Sequence, residues 1–315
     1  MAGITGVAQG KGMAGGAPLR ISPLFNDAFL KIFGSQDSKR VTRSLVNAIL
    51  RLAGIEEMGD VERISADEAH PGGVAIKSPR TDVLLVTGTG DFVDLEAERH
   101  NVNVDNKLLL YAARLLCDHV PKGGDCDYEQ LPRVVAISLL EGRTVFDGSE
   151  FVGDGRMRWL WGDVLEDGSD RVVFVIVELD KVRKRYTAND EEVLHDESLA
   201  WLYLLAGGCE DDEETDRIVS GFPTMQEFAE RYRIAMGDPE LKHAYDLYIE
   251  SEMEYNDRLH NDVRDGVREG VREGVAKAMA EALPKAEAKA REEGRKKGRE
   301  EGRKKGREEG RKKGR

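Results

Sequence analysis

The stretch from Arg80 to Glu98 constrains the fold of this chain more than any other segment. Two apolar-rich runs flank a Gly-Thr-Gly loop at residues 88–90, a pattern typical of a β-hairpin. If these three residues form the loop, counting along both strands places Asp82 opposite Glu96. Because side chains alternate along a strand, Asp82, Glu96 and Glu98 share one face. The other face carries four apolar side chains that can rest on a core: Val83, Leu85, Val93 and Leu95.

The acidic face of this hairpin has two interpretations. Carboxylates that face each other across a sheet repel, and a divalent cation such as Mg²⁺ reverses that repulsion by binding several carboxylate oxygens. The first interpretation is therefore a metal site for phosphodiester chemistry. The second is an ordinary hairpin whose polar face is in contact with solvent. On spacing alone the solvated face is favoured, because acidic residues are common near hairpins.

Charge is distributed unevenly along the 315 residues, whose formal net charge is −13. Residues 261–315 contain 9 Lys and 10 Arg against 2 Asp and 10 Glu, a net charge of +7. Residues 1–260 therefore carry −20. A body this acidic does not attract nucleic acid through its overall field, so binding to nucleic acid requires a metal, a local basic surface or the tail.

The composition predicts a cytoplasmic protein with no membrane partner. No apolar run approaches the roughly 20 residues that cross a bilayer, and the Gly/Ala-rich segment 1–20 has no apolar signal core and is predicted to be disordered. The three cysteines are sparse and odd in number, which argues against a disulfide framework or a zinc site. Of these, Cys117 is predicted to lie on the buried face of a helix.

Apolar periodicity beyond the hairpin predicts a mixed α/β sheet covered by helices. Helices are expected over residues 25–33, 38–53 and 104–119, and strands over 61–66, 131–140, 158–165 and 172–179. From residue 189 to 254 the pattern is helical, with one helix at 193–205 and an acidic loop at 210–216. The basic run Lys181–Tyr186 is either a contact for a phosphate backbone or an ordinary charge run at the end of a strand.

The C-terminal tail is a charged repeat in which glycine recurs every fourth residue at 266–274 and again at 294–314. Opposite charges four residues apart favour a helix, whereas each glycine costs about 1 kcal/mol relative to alanine. We therefore expect a marginal, solvated helix or a disordered arm. Electrostatic contact with nucleic acid, self-association into a homo-oligomer and low-complexity drift are the alternative interpretations.

Six short motifs follow one another within residues 22–185: Asn26-Asp27-Ala-Phe-Leu-Lys31-Ile-Phe-Gly34, Asn47-Ala-Ile-Leu50, Arg80-Thr-Asp82-Val, Asp94-Leu-Glu96-Ala-Glu98, Tyr111-Ala-Ala-Arg114-Leu and Val177-Glu178-Leu179-Asp180-Lys181. Their order and spacing resemble the recombination-promoting nuclease and transposase family, which belongs to the PD-(D/E)XK nuclease superfamily. The charged repeat tail is also similar to tails that are common in that family. No single motif is specific, and the resemblance rests on all of them together.

This resemblance implies a restriction-endonuclease-like core, a mixed sheet of four or five strands with helices on both sides. It also implies a metal-dependent DNA endonuclease site. Asp82 and Glu96 match the family's two strand acids and would hold Mg²⁺, with Mn²⁺ as a second candidate. Asp27 matches an acidic position on the first helix and is a further candidate metal ligand.

One position departs from the superfamily pattern. The superfamily has lysine two residues after the second acid, and this family commonly has glutamine there, whereas this chain has Glu98. A glutamate there is either a further metal ligand or general base, or a sign that cleavage is lost. Lys107 in the following helix is the first candidate for the missing cation, with Lys77 and Arg99 behind it. The alternative for Lys107 is a solvated lysine on a helix face.

Two hypotheses follow for function. The first is a Mg²⁺-dependent endonuclease that cleaves DNA, with RNA as an open alternative, in which Asp82, Glu96, Glu98 and Lys107 form the catalytic set. The second is a catalytically degenerate family member that binds nucleic acid or acts in assembly. The predicted organisation is a disordered segment 1–20, a nuclease core 21–186, a helical C-terminal region 187–255 and the repeat tail 256–315.

Overall fold

The computed structural model describes residues 20–69, 80–99, 103–119, 131–142, 144–161, 164–207 and 212–313. The predicted disordered segment lies outside these ranges except for Arg20, and so does Lys77. The chain divides into two compact units, Met1–Tyr245 and Asp246–Arg315. The strands and all but one of the described helices belong wholly to the first unit, and the last helix runs from the first unit into the second.

The centre of the first unit is a six-stranded mixed sheet with the strand order β1-β2-β3-β4-β8-β5. The strands β1, β2 and β3 are antiparallel, β3, β4 and β8 run parallel, and β5 is antiparallel to β8. A separate two-stranded sheet contains β6 and β7. The strand bounds are β1 Val61–Ala69, β2 Arg80–Thr87, β3 Phe92–Glu98, β4 Val134–Leu140, β5 Val152–Arg156, β6 Arg158–Trp161, β7 Val164–Asp167 and β8 Val172–Glu178.

In the sequence, helices lie before β1, between β3 and β4, and after β8. Within the described ranges their bounds are α1 Asn26–Phe33, α2 Lys39–Leu52, α3 Val104–His119, α4 Leu179–Arg185, α5 Glu191–His195, α6 Glu197–Leu205, α7 Asp212–Val219, α8 Pro223–Gly237 and α9 Pro239–Lys313. This arrangement confirms the predicted α/β fold of the nuclease type, although the main sheet has six strands rather than four or five. No helix in the described part of the chain is long and apolar enough to span a membrane.

The hairpin formed by β2 and β3 has the predicted register. The backbone N–H of Thr87 donates to Asp91 at the loop, and Gly90 adopts a φ of 84°, which glycine tolerates without strain. Val83 pairs with Leu95 and Leu85 with Val93. The same count places Asp82 across from Glu96.

Both faces of the hairpin are covered. The predicted apolar face is buried, and α1 contacts β2 while α2 contacts β1. The face that carries the acids also carries Leu84 and Phe92, which join a hydrophobic cluster with residues of α3 and β4: Val104, Leu108, Ala112, Leu115, Val134, Ala136 and Leu140. The helix α3 therefore lies on the acidic face of the hairpin.

Several local predictions were wrong. The basic run after β8 is the helix α4 rather than a strand end, and part of the predicted acidic loop at 210–216 belongs to α7. The predicted helix 193–205 is interrupted at Asp196, whose side chain accepts hydrogen bonds from the backbone N–H groups of Ser198 and Leu199 and so starts a new helix. Cys117 is exposed, because the buried face of α3 follows Leu108, Ala112 and Leu115 instead.

Candidate active site

The two acids predicted to face each other are tied together by reciprocal hydrogen bonds. The backbone N–H of Asp82 donates to Oε1 of Glu96 at 2.8 Å. The backbone N–H of Ala97 donates to Oδ2 of Asp82 at 3.0 Å. Each carboxylate is therefore held by the backbone of the strand opposite, and the hairpin register alone determines where both acids lie.

The acidic face is buried rather than solvated. Asp94 and Glu96 have no solvent exposure and Glu98 is 7% exposed, whereas Asp82 is only partly buried. The interpretation of a polar face in contact with solvent was therefore wrong, because α3 covers this face of the hairpin. A buried cluster of carboxylates is costly unless its charge is compensated.

Lys107 supplies part of that compensation. It lies in the first turn of α3, and its ammonium nitrogen is 2.7 Å from Oε2 of Glu96. It also donates to Oε1 of Glu98 and lies 5.2 Å from the centre of the Tyr111 ring. The alternative of a freely solvated helix-face lysine is wrong, because one ammonium bridges two carboxylates and its side chain is 24% exposed.

The carboxyl groups of Asp82, Asp94 and Glu96 have raised pKa values. Burial, and then the charge of Glu96, raise the pKa of Asp82 to about 7. Burial and the neighbouring Glu96 raise the pKa of Asp94 well above its usual range. Burial also raises the pKa of Glu96, although Lys107 opposes the shift. Burial lowers the pKa of Lys107, but Glu96 and Glu98 outweigh that effect and raise it.

Asp94 is the member of the cluster that sequence reasoning missed. It lies two residues before Glu96 on β3 and therefore on the same face. It is fully buried, and neither of its carboxylate oxygens has a hydrogen-bond donor among the described residues. The signal was present in the sequence, since acids at 94, 96 and 98 alternate along one strand. The covering helix, which makes that alternation costly, was not visible from the strand pattern alone.

Other predicted site residues lie elsewhere. Asp27 is exposed near the start of α1, where Asn26 donates to it. Arg99 turns toward the end of β4 and pairs with Glu141 at 2.6 Å. No three His, Cys, Asp or Glu side chains of the described residues form a group that could hold a metal ion, so the predicted set of Asp27, Asp82 and Glu96 is not assembled.

The donors on the acidic face suit a hard divalent cation. Asp82, Asp94, Glu96 and Glu98 bring four carboxylates together, and Lys107 is the ammonium that pairs with them. Carboxylate oxygens are the ligands that Mg²⁺ and Mn²⁺ prefer. Asp82 is the most accessible of the four acids, and the Glu96 carboxylate bonds to its backbone. Two of these carboxylates, Asp82 and Glu96, therefore fit a dication in charge and in donor type if water or phosphate oxygens supply its other ligands.

A mixed sheet whose second and third strands carry paired acids defines a nuclease-like α/β fold. The chain belongs to the PD-(D/E)XK nuclease family transposases, whose pattern matches residues 24–261. Searches of curated proteins and of solved structures gave no match. The family assignment confirms the resemblance that the motifs predicted. The matched residues extend from the nuclease core into the helical C-terminal region.

Proposed function

We propose that this protein is a Mg²⁺-dependent endonuclease that hydrolyses phosphodiester bonds in DNA, with Asp82 and Glu96 as the metal ligands. The observation that carries the proposal is the buried acidic face of the hairpin, where four carboxylates meet one ammonium. Such a cluster destabilises the fold unless a further cation or protons compensate it. The family of PD-(D/E)XK nuclease transposases supports the same chemistry.

The chain's own residues have distinct parts in this proposal. Asp82 and Glu96 would hold the Mg²⁺ ion, which would supply polarisation of the scissile phosphate and a lower pKa for the attacking water. Lys107 takes the part of the lysine that the superfamily has at the position of Glu98, because its ammonium reaches the acids from α3. Glu98 holds that ammonium in place and is therefore a positioning residue. Asp27 is left out of the ligand set because it is exposed near the start of α1.

Protonation of Asp82 provides a pH dependence for the activity. Its pKa of about 7 means that acidic solution keeps the carboxyl neutral, and a neutral carboxyl is a poor metal ligand. At limiting Mg²⁺, activity should therefore rise with pH up to about 7, because protons and the metal compete for the Asp82 carboxyl. The residual activity of Asp82→Asn should lack this pH dependence.

Cleavage of supercoiled plasmid DNA in the presence of Mg²⁺ or Mn²⁺ tests the proposal. We expect Asp82→Asn and Glu96→Gln to lower the rate by about a hundredfold or more, because each removes a charge that acts at the reacting phosphate. Lys107→Met should have a similar effect. The matched control is Glu213→Gln, an exposed acid of α7, which should cleave as the wild type does. Undiminished cleavage by Asp82→Asn would show that the site lies elsewhere.

The second candidate function is a family member that binds DNA without cutting it. The observation that favours it is Glu98, an acid at the position where the superfamily has a cation. In that case calorimetry should detect no Mg²⁺ binding that depends on Asp82, while the wild-type chain still binds DNA. Gain of cleavage in Glu98→Lys, with none in the wild type, would identify the lost cation as the cause.

A further inference from the structure

The part of the long helix α9 that belongs to the second compact unit of the chain carries an exposed row of apolar side chains. Six apolar side chains recur at every fourth residue and are 50–62% exposed: Val263, Val267, Val271, Val275, Met279 and Leu283. Large apolar side chains that are exposed singly need no explanation, whereas a contiguous row of six indicates a contact surface. We call this row the valine ridge.

A row of small residues runs beside the valine ridge. It consists of the residues that directly precede ridge positions: Gly266, Gly270, Gly274, Ala278 and Ala282. A Cβ atom placed on any of the three glycines would meet nothing within 4 Å. Packing within the chain therefore does not require glycine there, although glycine is among the least favourable residues inside a helix. We call this row the glycine groove.

The two rows match in shape. Residues four apart are neighbours on a helix surface and form a ridge that is inclined to the helix axis. Because an α-helix turns about 100° per residue, each step of four residues rotates the row by about 40° in the right-handed sense. Two helices whose rows of this kind interlock cross at about −50°, and small residues in the groove let the backbones approach closely. The valine ridge of one copy therefore fits the glycine groove of another.

The charges that border these rows select an orientation. An arginine row (Arg264, Arg268 and Arg272) borders the valine ridge, and an acidic row (Asp265, Glu269 and Glu273) borders the glycine groove. When two such helices pair in parallel about a two-fold axis, the arginine side of one faces the acidic side of the other. In an antiparallel pair, like charges face each other. Charge complementarity therefore favours the parallel arrangement.

We propose that α9 forms a parallel homodimer interface centred on residues 266–275, where the valine ridge of each copy packs into the glycine groove of the other over the roughly three turns that helices crossing at about −50° can share. The later repeat provides an internal contrast. Between residues 294 and 314 the glycines are each followed by arginine, so the same glycine spacing occurs without a valine ridge. The interface is therefore confined to the first part of the repeat, and spacing of glycine alone does not create it.

Sedimentation velocity of the full-length chain over a concentration series tests this interface. We expect the wild type to dimerise and the double variant Val267→Gln/Val271→Gln to raise the dimer dissociation constant by about a hundredfold or more, because apolar contacts are lost from both copies. Gly270→Gln/Gly274→Gln should have the same effect although glutamine favours a helix more than glycine does. The matched control is Gly298→Gln/Gly302→Gln, which should remain dimeric.

Orientation is tested by the distance between nitroxide labels on Leu283→Cys in a chain whose Cys117, Cys126 and Cys209 are replaced by serine. A parallel pair places the two labelled residues roughly 20 Å apart at the same end of the interface, whereas an antiparallel pair places them roughly 35 Å apart at opposite ends. A monomeric wild type, a dimer that survives the ridge or groove variants, or a dimer with the longer label distance would each overturn the proposal. Association that appears only after addition of duplex DNA would overturn it as well, since DNA would then be the partner of this surface.

Discussion

Two glutamates of the six-stranded sheet that have no solvent exposure each pair with a lysine, and they differ in what else surrounds them. Glu96 in β3 lies 2.7 Å from Lys107, and Glu178 at the end of β8 lies 2.5 Å from Lys181. Both glutamates are fully buried. Glu178 also accepts hydrogen bonds from the backbone N–H groups of Val145 and Phe146.

Lys181, the lysine that pairs with Glu178, also donates hydrogen bonds to the backbone. Its ammonium donates to the carbonyl oxygens of Phe146 and Glu150, each at 2.8 Å. The pair therefore fastens the segment before β5 to the end of β8. At the hairpin, by contrast, one ammonium is shared between two glutamates and the carboxylate of Asp94 has no donor.

This difference separates a structural ion pair from a candidate active site. Around Glu178 the Lys181 ammonium and two backbone N–H groups face a single carboxylate, so the buried charge is compensated. On the hairpin face the acids exceed the donors, so the fold carries a cost that only a bound cation or protons offset. Removal of a negative charge should therefore lower the free energy of unfolding at the Glu178 pair and raise it at the hairpin face.

The largest effect is expected at the structural pair. Glu178→Gln should lower the free energy of unfolding by about 3–5 kcal/mol, because it leaves the Lys181 ammonium, whose side chain is only 13% exposed, without its counter-charge. Urea denaturation at pH 7 measures this change. Glu150→Gln is the matched control, since its exposed side chain is not in the pair and should change stability by less than about 0.5 kcal/mol. A loss below about 1 kcal/mol in Glu178→Gln would remove the contrast between the sites.

A pH dependence of stability distinguishes the hairpin site. The pKa of Asp82 is about 7 in the folded chain against 3.8 ordinarily, so between these values the folded state binds more protons than the unfolded state. The free energy of unfolding should then fall as the pH rises from about 4 to 7, by up to about 4 kcal/mol. Urea denaturation in EDTA measures the fall, which should be smaller in Asp82→Asn. Equal pH dependence in both chains would contradict the raised pKa.

The smallest effect is expected at Asp94, where removal of the charge should stabilise the fold, in contrast to Glu178→Gln. Asp94→Asn should raise the free energy of unfolding by about 1–2 kcal/mol at pH 7 without divalent cations, because it removes a buried carboxylate that has no donor and adjoins Glu96. The measurement is again urea denaturation. Destabilisation of this variant would mean that the Asp94 carboxylate is satisfied in the folded chain, and the hairpin would then resemble the Glu178 pair.

Local patterns predicted the central elements of the fold well. The bounds of α3 were predicted at residues 104–119, as observed, and the Gly-Thr-Gly loop predicted the register of β2 and β3. The edge strand β5 was missed because Val152-Gly-Asp-Gly-Arg156 has no apolar alternation, and its pairing with β8 is set by tertiary structure. The tail was predicted as marginal, yet α9 continues to Lys313.

The sequence predicted where the two acids of the site lie, but it did not predict that the face carrying them is buried. Alternation along two strands was enough to bring Asp82 and Glu96 together. Burial of their face depends on α3, whose packing onto the hairpin involves contacts distant in sequence. For the same reason Lys107 was one candidate cation among three, and the alternation that places Asp94 beside Glu96 could not show that this face is buried.

The reciprocal hydrogen bonds between Asp82, Glu96 and Ala97 also bear on how the chain reaches this structure. They join residues 14 and 15 positions apart, whereas the hydrogen bond from Arg133 to Asp91 beside the parallel pairing of β3 with β4 spans 42. Closing a shorter loop costs less chain entropy. The acids therefore belong to the most local contacts of the sheet, and they can approach each other in water, where like charges repel weakly, before α3 removes that water.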